Sequence, residues 1–215
     1  MQSTLSRDNP VPGPAYRIHT PRLVIRCWQP SDAPLLADAI TASVDHLWPW
    51  MPWVHAEPEE LEAKVQRLRS FRARFDTDQD YVYAIFNRDE SEVVGGTGLH
   101  PRVGEAALEI GYWISARHVG RGYATEASAA LSRVGFEVNG LERMEIRCDP
   151  LNVRSASVPR KLGYTLETTL RARVRGADGT LRDSMVWSLF RDGYPASPCA
   201  AAEVEAFDAA GRRLL

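Results

Sequence analysis

Apolar residues recur with two periods along this chain, and the periods predict alternating helices and strands. Apolar side chains three or four positions apart predict one helix after the N-cap candidates Ser31-Asp32 and a second over 57–75. A third helix is predicted from Tyr123 to Phe136, where Asn139-Gly140 ends it. Runs of β-branched and aromatic residues predict strands at 23–27, 81–86, 93–99, 106–114 and 144–148.

The order of these elements predicts an α/β (α+β) fold with one sheet. With 215 residues and 44% hydrophobic content, the chain can bury one good core. We expect residues 1–14 to form a flexible polar lead-in, residues 15–194 the domain, and residues 195–215 a tail. Roughly helical spacing of four apolar residues predicts that the tail contains a docking helix: Val204, Phe207, Leu214 and Leu215.

The strand Glu109–Ile114 leads into a glycine-rich loop, Arg117-His-Val-Gly-Arg-Gly122, which opens the third predicted helix. Such a loop turns backbone N–H groups outward at a helix N-terminus, where the partial positive charge favours an anion. The chain has no Walker A string, and Thr125 stands where a dinucleotide fingerprint needs its third glycine. The loop therefore predicts a phosphate cradle of another kind, unless its glycines serve only an ordinary strand-to-helix turn.

A second motif follows the last predicted strand. Asn152-Val-Arg-Ser155 and then Lys161-Leu-Gly-Tyr164 predict a short helix. Asn152 is its N-cap and Gly163 its C′ residue. A capped helix without any functional role would explain the same pattern.

Together the two motifs resemble the GNAT acetyltransferase superfamily, whose ligand is acetyl-coenzyme A. Arg117-x-x-Gly-x-Gly122 is similar to its pyrophosphate-binding signature, and the Asn152 motif to the segment that holds the adenosine and pantetheine end. The resemblance implies a mixed, mostly antiparallel twisted sheet whose central strands part after Gly111, with helices on both faces. It implies these cofactor-binding residues and no metal: Trp113, Ile114, Arg117, Val119, Gly120, Arg121, Gly122, Tyr123, Ala124, Asn152 and Ser155.

Three further segments narrow the resemblance to the RimJ/RimL subgroup, which acetylates N-terminal amines of ribosomal proteins and includes relatives acting on small amines. They are Trp48-Pro-Trp-Met-Pro-Trp53, Glu109–Ile114 and the terminal strand 182–189, and the likeness covers roughly 21–192. Core packing would explain the tryptophans, but three indoles in a proline-broken loop suit a ligand pocket better. We expect Trp50 and Trp53 to cover the acceptor amine.

Acetyl transfer to an amine needs a base that removes a proton from the ammonium. Glu109 is the main candidate, because it precedes the point where the strands should part. A salt-bridge partner facing outward is the competing interpretation of that side chain. His100, at the end of the preceding strand, is the other candidate for the base or for acceptor binding, or else a surface turn residue beside Pro101.

The leaving thiolate calls for a proton or a hydrogen bond. Many members of the superfamily carry a tyrosine seven residues after the motif asparagine, but that position is Pro159 in this chain. Ser155 is the nearest hydroxyl by spacing, and in RimL-like enzymes a serine there has been assigned a role near the thiol. A serine is a poor acid, so Ser155 is expected to donate a hydrogen bond to the sulfur or to support the helix start.

Composition excludes some classes of protein. The 26 basic and 28 acidic residues give a formal charge of −2, which disfavours nucleic-acid binding. Alternating arginines at 171–175 are more typical of the solvated face of a strand than of an RNA-contacting patch. Cys27, Cys148 and Cys199 lack metal-ligand spacing. With no signal-like or membrane-spanning segment in the sequence, we expect a cytoplasmic protein.

The acceptor cannot be identified from these residues. Peptide N-termini, nucleotide-peptide antibiotics, other small amines and protein lysines all remain open, and a homodimer is implied by resemblance only. Two other classes compete with acetyl transfer: a module that binds acetyl-coenzyme A as a sensor or sequestering protein, and a purely structural domain. Intact Glu109 and Ser155 argue against the first.

Overall fold

The computed structural model describes residues 14–176 and 178–215, and one nine-stranded sheet organises them. The strands are β1 (Arg17–His19), β2 (Leu23–Cys27), β3 (Tyr81–Asn87), β4 (Val93–His100), β5 (Ala107–Ile114), β6 (Arg143–Cys148), β7 (Thr165–Arg175), β8 (Leu181–Phe190) and β9 (Glu205–Phe207). The helices are α1 (Ala33–Thr41), α2 (Val44–Leu47), α3 (Leu61–Asp76), α4 (Tyr123–Glu137) and α5 (Val153–Lys161). None of these helices has the length and apolarity that a membrane span requires.

The sheet order is β7-β8-β6-β5-β4-β3-β2-β1-β9. Every neighbouring pair is antiparallel except β5 and β6, which are parallel. Successive strand residues point to opposite faces. Ile25 and Ile85 belong to the apolar cluster of α4 and α5, whereas Val24 and Ala84 belong to that of α1 and α3. Helices therefore cover both faces, which confirms the predicted fold class.

The two central strands separate partway along their length. Parallel pairing of β5 with β6 runs from Ala107, opposite Arg143, to Ile110, opposite Ile146. Beyond Ile110, β5 continues to Ile114 with β4 as its only neighbouring strand. The sheet thus opens at Gly111, as predicted, and one edge of β5 is left without a strand partner.

Two helix boundaries differ from the predicted ones. The second predicted helix, 57–75, begins only at Leu61, because Pro58 disfavours helical backbone at the residue before it. The Glu57 carboxylate instead accepts hydrogen bonds from the Glu59 amide and from the buried Lys64 ammonium. The first helix ends at Thr41, and α2 follows as a separate short helix.

The tail does not contain the predicted docking helix. Among its described residues, 205–207 form β9, which pairs antiparallel with β1 and extends the same sheet. The chain then turns at Gly211, whose φ is +76°, and the Leu214 amide donates to the Ala206 carbonyl. The apolar spacing resembled a helix, but pairing with β1 satisfies this backbone. The predicted flexible segment 1–14 lies, apart from Pro14, outside the described residues.

Two leucines of α3 test the burial that anchors this helix. Leu68 is 0% exposed and Leu61 is 44% exposed. We expect Leu68→Ala to lower the free energy of unfolding by about 2–5 kcal/mol, because the cavity left in the core adds to the lost burial. The matched Leu61→Ala should change it by less than about 0.5 kcal/mol. Chemical denaturation measures both, and equal effects would contradict the packing described.

Candidate active site

A cavity of about 1070 Å³ lies over the face of the sheet where β4 and β5 carry glycines. Gly96 and Gly111 line this cavity, and Gly98 pairs with Gly111 across the two strands; we call these three glycines the floor. Larger side chains cover Gly96 and Gly98. A Cβ on Gly96 would lie 2.5 Å from the Trp113 indole nitrogen, and a Cβ on Gly98 would lie 2.6 Å from the His100 ring. The floor therefore holds an indole and an imidazole where side chains of its own would exclude them.

His100 is held by a carboxylate that the sequence did not reveal. Its Nδ1 lies 2.6 Å from Oδ1 of Asp80, the residue just before β3. Burial acts to raise the pKa of Asp80, but the hydrogen bond with His100 and the nearby positive charges outweigh it and lower that pKa. Since a carboxylate only accepts, Nδ1 carries a proton, and in the neutral imidazole Nε2 is the nitrogen that holds the lone pair. A Cβ on Gly111 would lie 3.1 Å from that Nε2, so the imidazole faces the opening in the sheet.

Glu109 lies directly opposite His100 in the pairing of β4 and β5 and also lines the cavity. Its side chain is 8% exposed, and its two oxygens accept hydrogen bonds from Arg102, at 3.0 Å from Nε and 2.6 Å from Nη2. Arg147 lies 3.8 Å away. Glu109 therefore has features of both interpretations: it lines the cavity, as a base would, and it is ion-paired, as a salt-bridge partner would be.

The tryptophan-rich segment 48–53 and the tip of the β7–β8 hairpin meet over the cavity. Arg182 of β8 donates to the Pro49 carbonyl at 3.0 Å, lies 3.4 Å from an Asp149 oxygen, and stacks 5.9 Å over the Trp50 ring. Trp53 packs edge-on against Trp113 with ring centroids 5.8 Å apart. We call residues 48–53, 170–176 and 178–182 the roof; Trp50 and Trp53 both line the cavity.

A phenol stands beside Ser155, although Pro159 occupies the position where the resemblance would place a tyrosine. Proline has no N–H, so the Ser155 carbonyl lacks its helical hydrogen bond from residue 159. The Tyr112 hydroxyl lies 3.1 Å from both this carbonyl and the Ser155 Oγ. Tyr112 comes from β5, just past the point where the strands separate. Asn152 caps the same helix by accepting from the Ser155 amide at 3.1 Å, as predicted.

The glycine loop before α4 exposes a row of backbone donors. Gly120 and Gly122 have φ of +77° and +81°, a conformation that favours glycine. Within the described residues, no amide N–H from Val119 to Thr125 donates to another group. A Cβ on Gly120 would meet nothing within 4 Å, so the space before these amides is open. This is the arrangement that an anion at a helix N-terminus requires.

Arg22 fixes the loop from outside. It donates to the Arg121 carbonyl at 2.9 Å, pairs with Glu126 in the first turn of α4, and lies 4.6 Å from the Tyr123 ring centre. Arg117, the first residue of the signature, pairs instead with Asp38 of α1. Arg22 thus holds the shape of the loop, and no sequence motif pointed to this role.

The structure places the sequence-predicted residues in two groups. One group lines the cavity: Trp50, Trp53, His100, Glu109, Trp113, Asn152 and Ser155. The other group forms the end of β5, the glycine loop and the start of α4: Ile114, Arg117, Val119, Gly120, Arg121, Gly122, Tyr123 and Ala124. Sequence reasoning missed Asp80, Arg102 and Tyr112, which contact the predicted residues His100, Glu109 and Ser155 respectively.

Comparison with known proteins gives the family. The family described as "Acetyltransferase (GNAT) domain" matches residues 22–165. The chain is 28% identical over 134 residues to the N-acetyltransferase YoaA of Bacillus subtilis, covering 62% of this chain and 75% of YoaA. This chain belongs to the GNAT acetyltransferase family, and it is therefore an acetyltransferase.

Solved structures agree in fold. The ribosomal-protein-S5-alanine acetyltransferase of Vibrio fischeri superposes with a TM-score of 0.71 at 21% identity, covering 83% of this chain and 98% of that one. Mycobacterium smegmatis RimJ, solved with a coenzyme A disulfide, gives a TM-score of 0.73 at 23% identity, with 88% and 92% covered. These likenesses establish the fold, and RimJ is itself a member of the subgroup that the sequence resembles.

The Asp80–His100 pair predicts a pH-dependent contribution to stability. The pKa of Asp80 lies below its ordinary value of 3.8, so the folded state favours the carboxylate. This contribution is fully present from about pH 5 upward, roughly one unit above the ordinary pKa, and it is lost as the pH falls through the lowered pKa. The difference in unfolding free energy between the wild type and Asp80→Asn should therefore shrink between about pH 5 and pH 2.

Chemical denaturation across that pH range measures the difference. In a His100→Asn background, Asp80→Asn should have a smaller effect at every pH, because the partner is absent. A difference that stays constant with pH would contradict the pairing.

Proposed function

We propose that this protein transfers the acetyl group of acetyl-coenzyme A to a primary amine by direct attack in a ternary complex. One observation carries the proposal: unpaired amides of the glycine loop stand at one end of the opening in the sheet, and a cavity with an Asp–His pair stands at the other. Anion binding and proton removal are thereby available on either side of the same opening. A sensor or sequestering module would have no need of the cavity with its Asp–His pair.

The residues present fit the coenzyme. The amides of Val119, Gly120, Gly122 and Ala124 donate to no group of the described residues and would hold the diphosphate. Glycines at 120 and 122 would let the diphosphate approach the backbone without a side chain in between. The free edge of β5 at 111–114 offers backbone groups to the amides of the pantetheine arm. Bound there, acetyl-coenzyme A supplies the acetyl group as a thioester.

Two groups compete for the proton of the attacking ammonium. His100 has a free Nε2 that faces Gly111, and Asp80 stabilises the imidazolium formed when Nε2 accepts a proton. Glu109 must first exchange its hydrogen bonds with Arg102, whose side chain is 60% exposed and free to swing away. We propose His100 as the base, and Glu109 as the alternative that holds or deprotonates the ammonium once Arg102 has moved.

On the opposite side of the opening, Tyr112 and Ser155 would serve the departing sulfur. Burial raises the pKa of the Tyr112 phenol, with partial offset by its hydrogen bond to Ser155. Tyr112 therefore keeps its proton and acts as a hydrogen-bond donor rather than as an acid. The Ser155 hydroxyl, supported by Tyr112, would donate to the sulfur, and water would complete the protonation.

The acceptor class follows from the resemblance and the cavity. We propose a peptide N-terminus or a small-molecule amine, because the aromatic roof suits either one. The subgroup resemblance also supports a cytoplasmic homodimer, and a sedimentation measurement would test its oligomeric state.

The first test is coenzyme binding by Gly120→Glu. We expect the affinity for acetyl-coenzyme A to fall by at least about 100-fold, because placing like charges together costs several kcal/mol. Gly211→Glu is the matched control, since Gly211 also has a left-handed φ, +76°, and open space around it. Titration calorimetry should show wild-type affinity in the control. Unaltered binding in Gly120→Glu, or no binding by the wild type, would refute the site.

The second test separates the two bases. We expect His100→Asn to lower kcat by about 100-fold or more and Glu109→Gln by less than about tenfold, with coenzyme affinity unchanged in both. Asp80→Asn should lie between them, because the imidazole remains but its orientation and charge stabilisation are lost. A thiol-release assay on any accepted amine measures all three. The opposite order would assign the base to Glu109.

A further inference from the structure

The acceptor cavity carries a positive charge that the chain as a whole does not share. Six guanidinium groups line it, from Arg67, Arg102, Arg147, Arg173, Arg175 and Arg182. Only three carboxylates do so, from Asp80, Glu109 and Asp149. The formal charge of the entire protein is −2. The positive charge of the cavity is therefore a local property of this site.

Four of these arginines have carboxylate partners. Arg102 pairs with Glu109, Arg147 with Glu145, Arg182 with Asp149, and Arg67 with Glu59. Arg173 and Arg175 of β7 differ: no carboxylate of the described residues lies within ion-pair distance of either. Arg175 donates only to the Gly179 carbonyl, at 2.7 Å. The uncompensated charge is thus located in the roof.

The backbone of β7 aims these two side chains over the cavity. Pairing with β8 is interrupted between Leu170 and Val174, and Ala172 adopts a left-handed φ of +54°. The Ala172 amide donates to Asp183 at 2.9 Å, which fixes this irregularity. A bulge of this kind redirects the side chains of a strand. Beyond this bulge Arg173, Val174 and Arg175 line the cavity, whereas Arg171 before it does not.

An amine approaches the site as an ammonium, and the charge of the cavity opposes it. Removing a cation from water costs free energy, and nearby like charges add to that cost. An anionic group on the same molecule offsets the repulsion between the ammonium and the arginines, because the anion can pair with the free guanidinium groups through charge-assisted hydrogen bonds. The three tryptophans Trp50, Trp53 and Trp113 would contact the part of the acceptor between its amine and its anion.

We infer that the acceptor is an amine bearing its own carboxylate or phosphate, which Arg173 and Arg175 bind while the amine faces His100. The inference rests on the proposed acetyl transfer. Free zwitterionic small molecules and peptide N-termini followed by acidic residues both present this chemistry. The inference gives Arg173 and Arg175, two of the alternating arginines at 171–175, a role in selecting the substrate instead of a purely solvated face.

Matched acceptors test the inference in the full-length protein with acetyl-coenzyme A. Tryptophan and tryptamine share an indole and an amine and differ in the carboxylate; the peptides Ser-Glu-Ala-amide and Ser-Lys-Ala-amide differ in the sign of one side chain. Rates are compared per deprotonated amine. We expect kcat/KM to favour the anionic member of at least one pair by about tenfold or more, and the pair that responds identifies the source.

Arg173→Gln should reduce that preference by about tenfold, and Arg171→Gln, an exposed neighbour outside the cavity, should leave it unchanged. Raising the salt concentration should also weaken it. Turnover without an anionic preference, or an equal effect of both variants, would overturn this inference and leave the proposed function intact. No turnover of any of the four amines, with coenzyme A bound normally, would count against both.

Discussion

The parallel pairing of β5 with β6 is the constraint on which the rest of the site depends. Parallel strands place their carboxyl ends at the same edge of a sheet, so the helices that follow them also begin there. The glycine loop follows β5, and the Asn152 cap follows β6. Two motifs about thirty residues apart in sequence therefore flank one opening. The separation after Ile110 then leaves backbone groups of β5 without a strand partner, and such groups require hydrogen bonds from elsewhere.

The same pairing brings two acidic residues together and so determines the surrounding charges. Glu109 and Glu145 lie opposite each other on β5 and β6, with side chains 8% and 6% exposed. Two adjacent, largely buried carboxylates repel each other unless cations compensate them. Arg102, Arg143 and Arg147 provide that compensation. Of these, Arg102 and Arg147 line the cavity and are paired there, whereas Arg173 and Arg175 of the roof line it without a carboxylate partner among the described residues.

The sequence pattern correctly predicted those features of the fold that depend on neighbouring residues. The strand Leu23–Cys27, the start of α4 at Tyr123 and the N-cap Asn152 each follow from neighbours within a few residues. What the sequence did not reveal depends on pairing across strands. Asp80 becomes significant only because β3 places it beside His100, twenty residues away. The tail was misjudged for the same reason, since four apolar residues fit a helical period while β1 offered an edge for a strand.

Tyr112 illustrates how a position-by-position comparison can miss a hydroxyl that another element supplies. Counting from Asn152 leads to Pro159 and to the absence of a phenol. Pro159 leaves room for a phenol from another element, because proline has no amide N–H and the Ser155 carbonyl is left without a helical donor. The Tyr112 hydroxyl donates a hydrogen bond to that carbonyl and therefore lies beside the Ser155 hydroxyl. Tyr112 and Ser155 both line the cavity, so this pair of hydroxyls is assembled by tertiary contact between β5 and α5 and not by the helix motif alone.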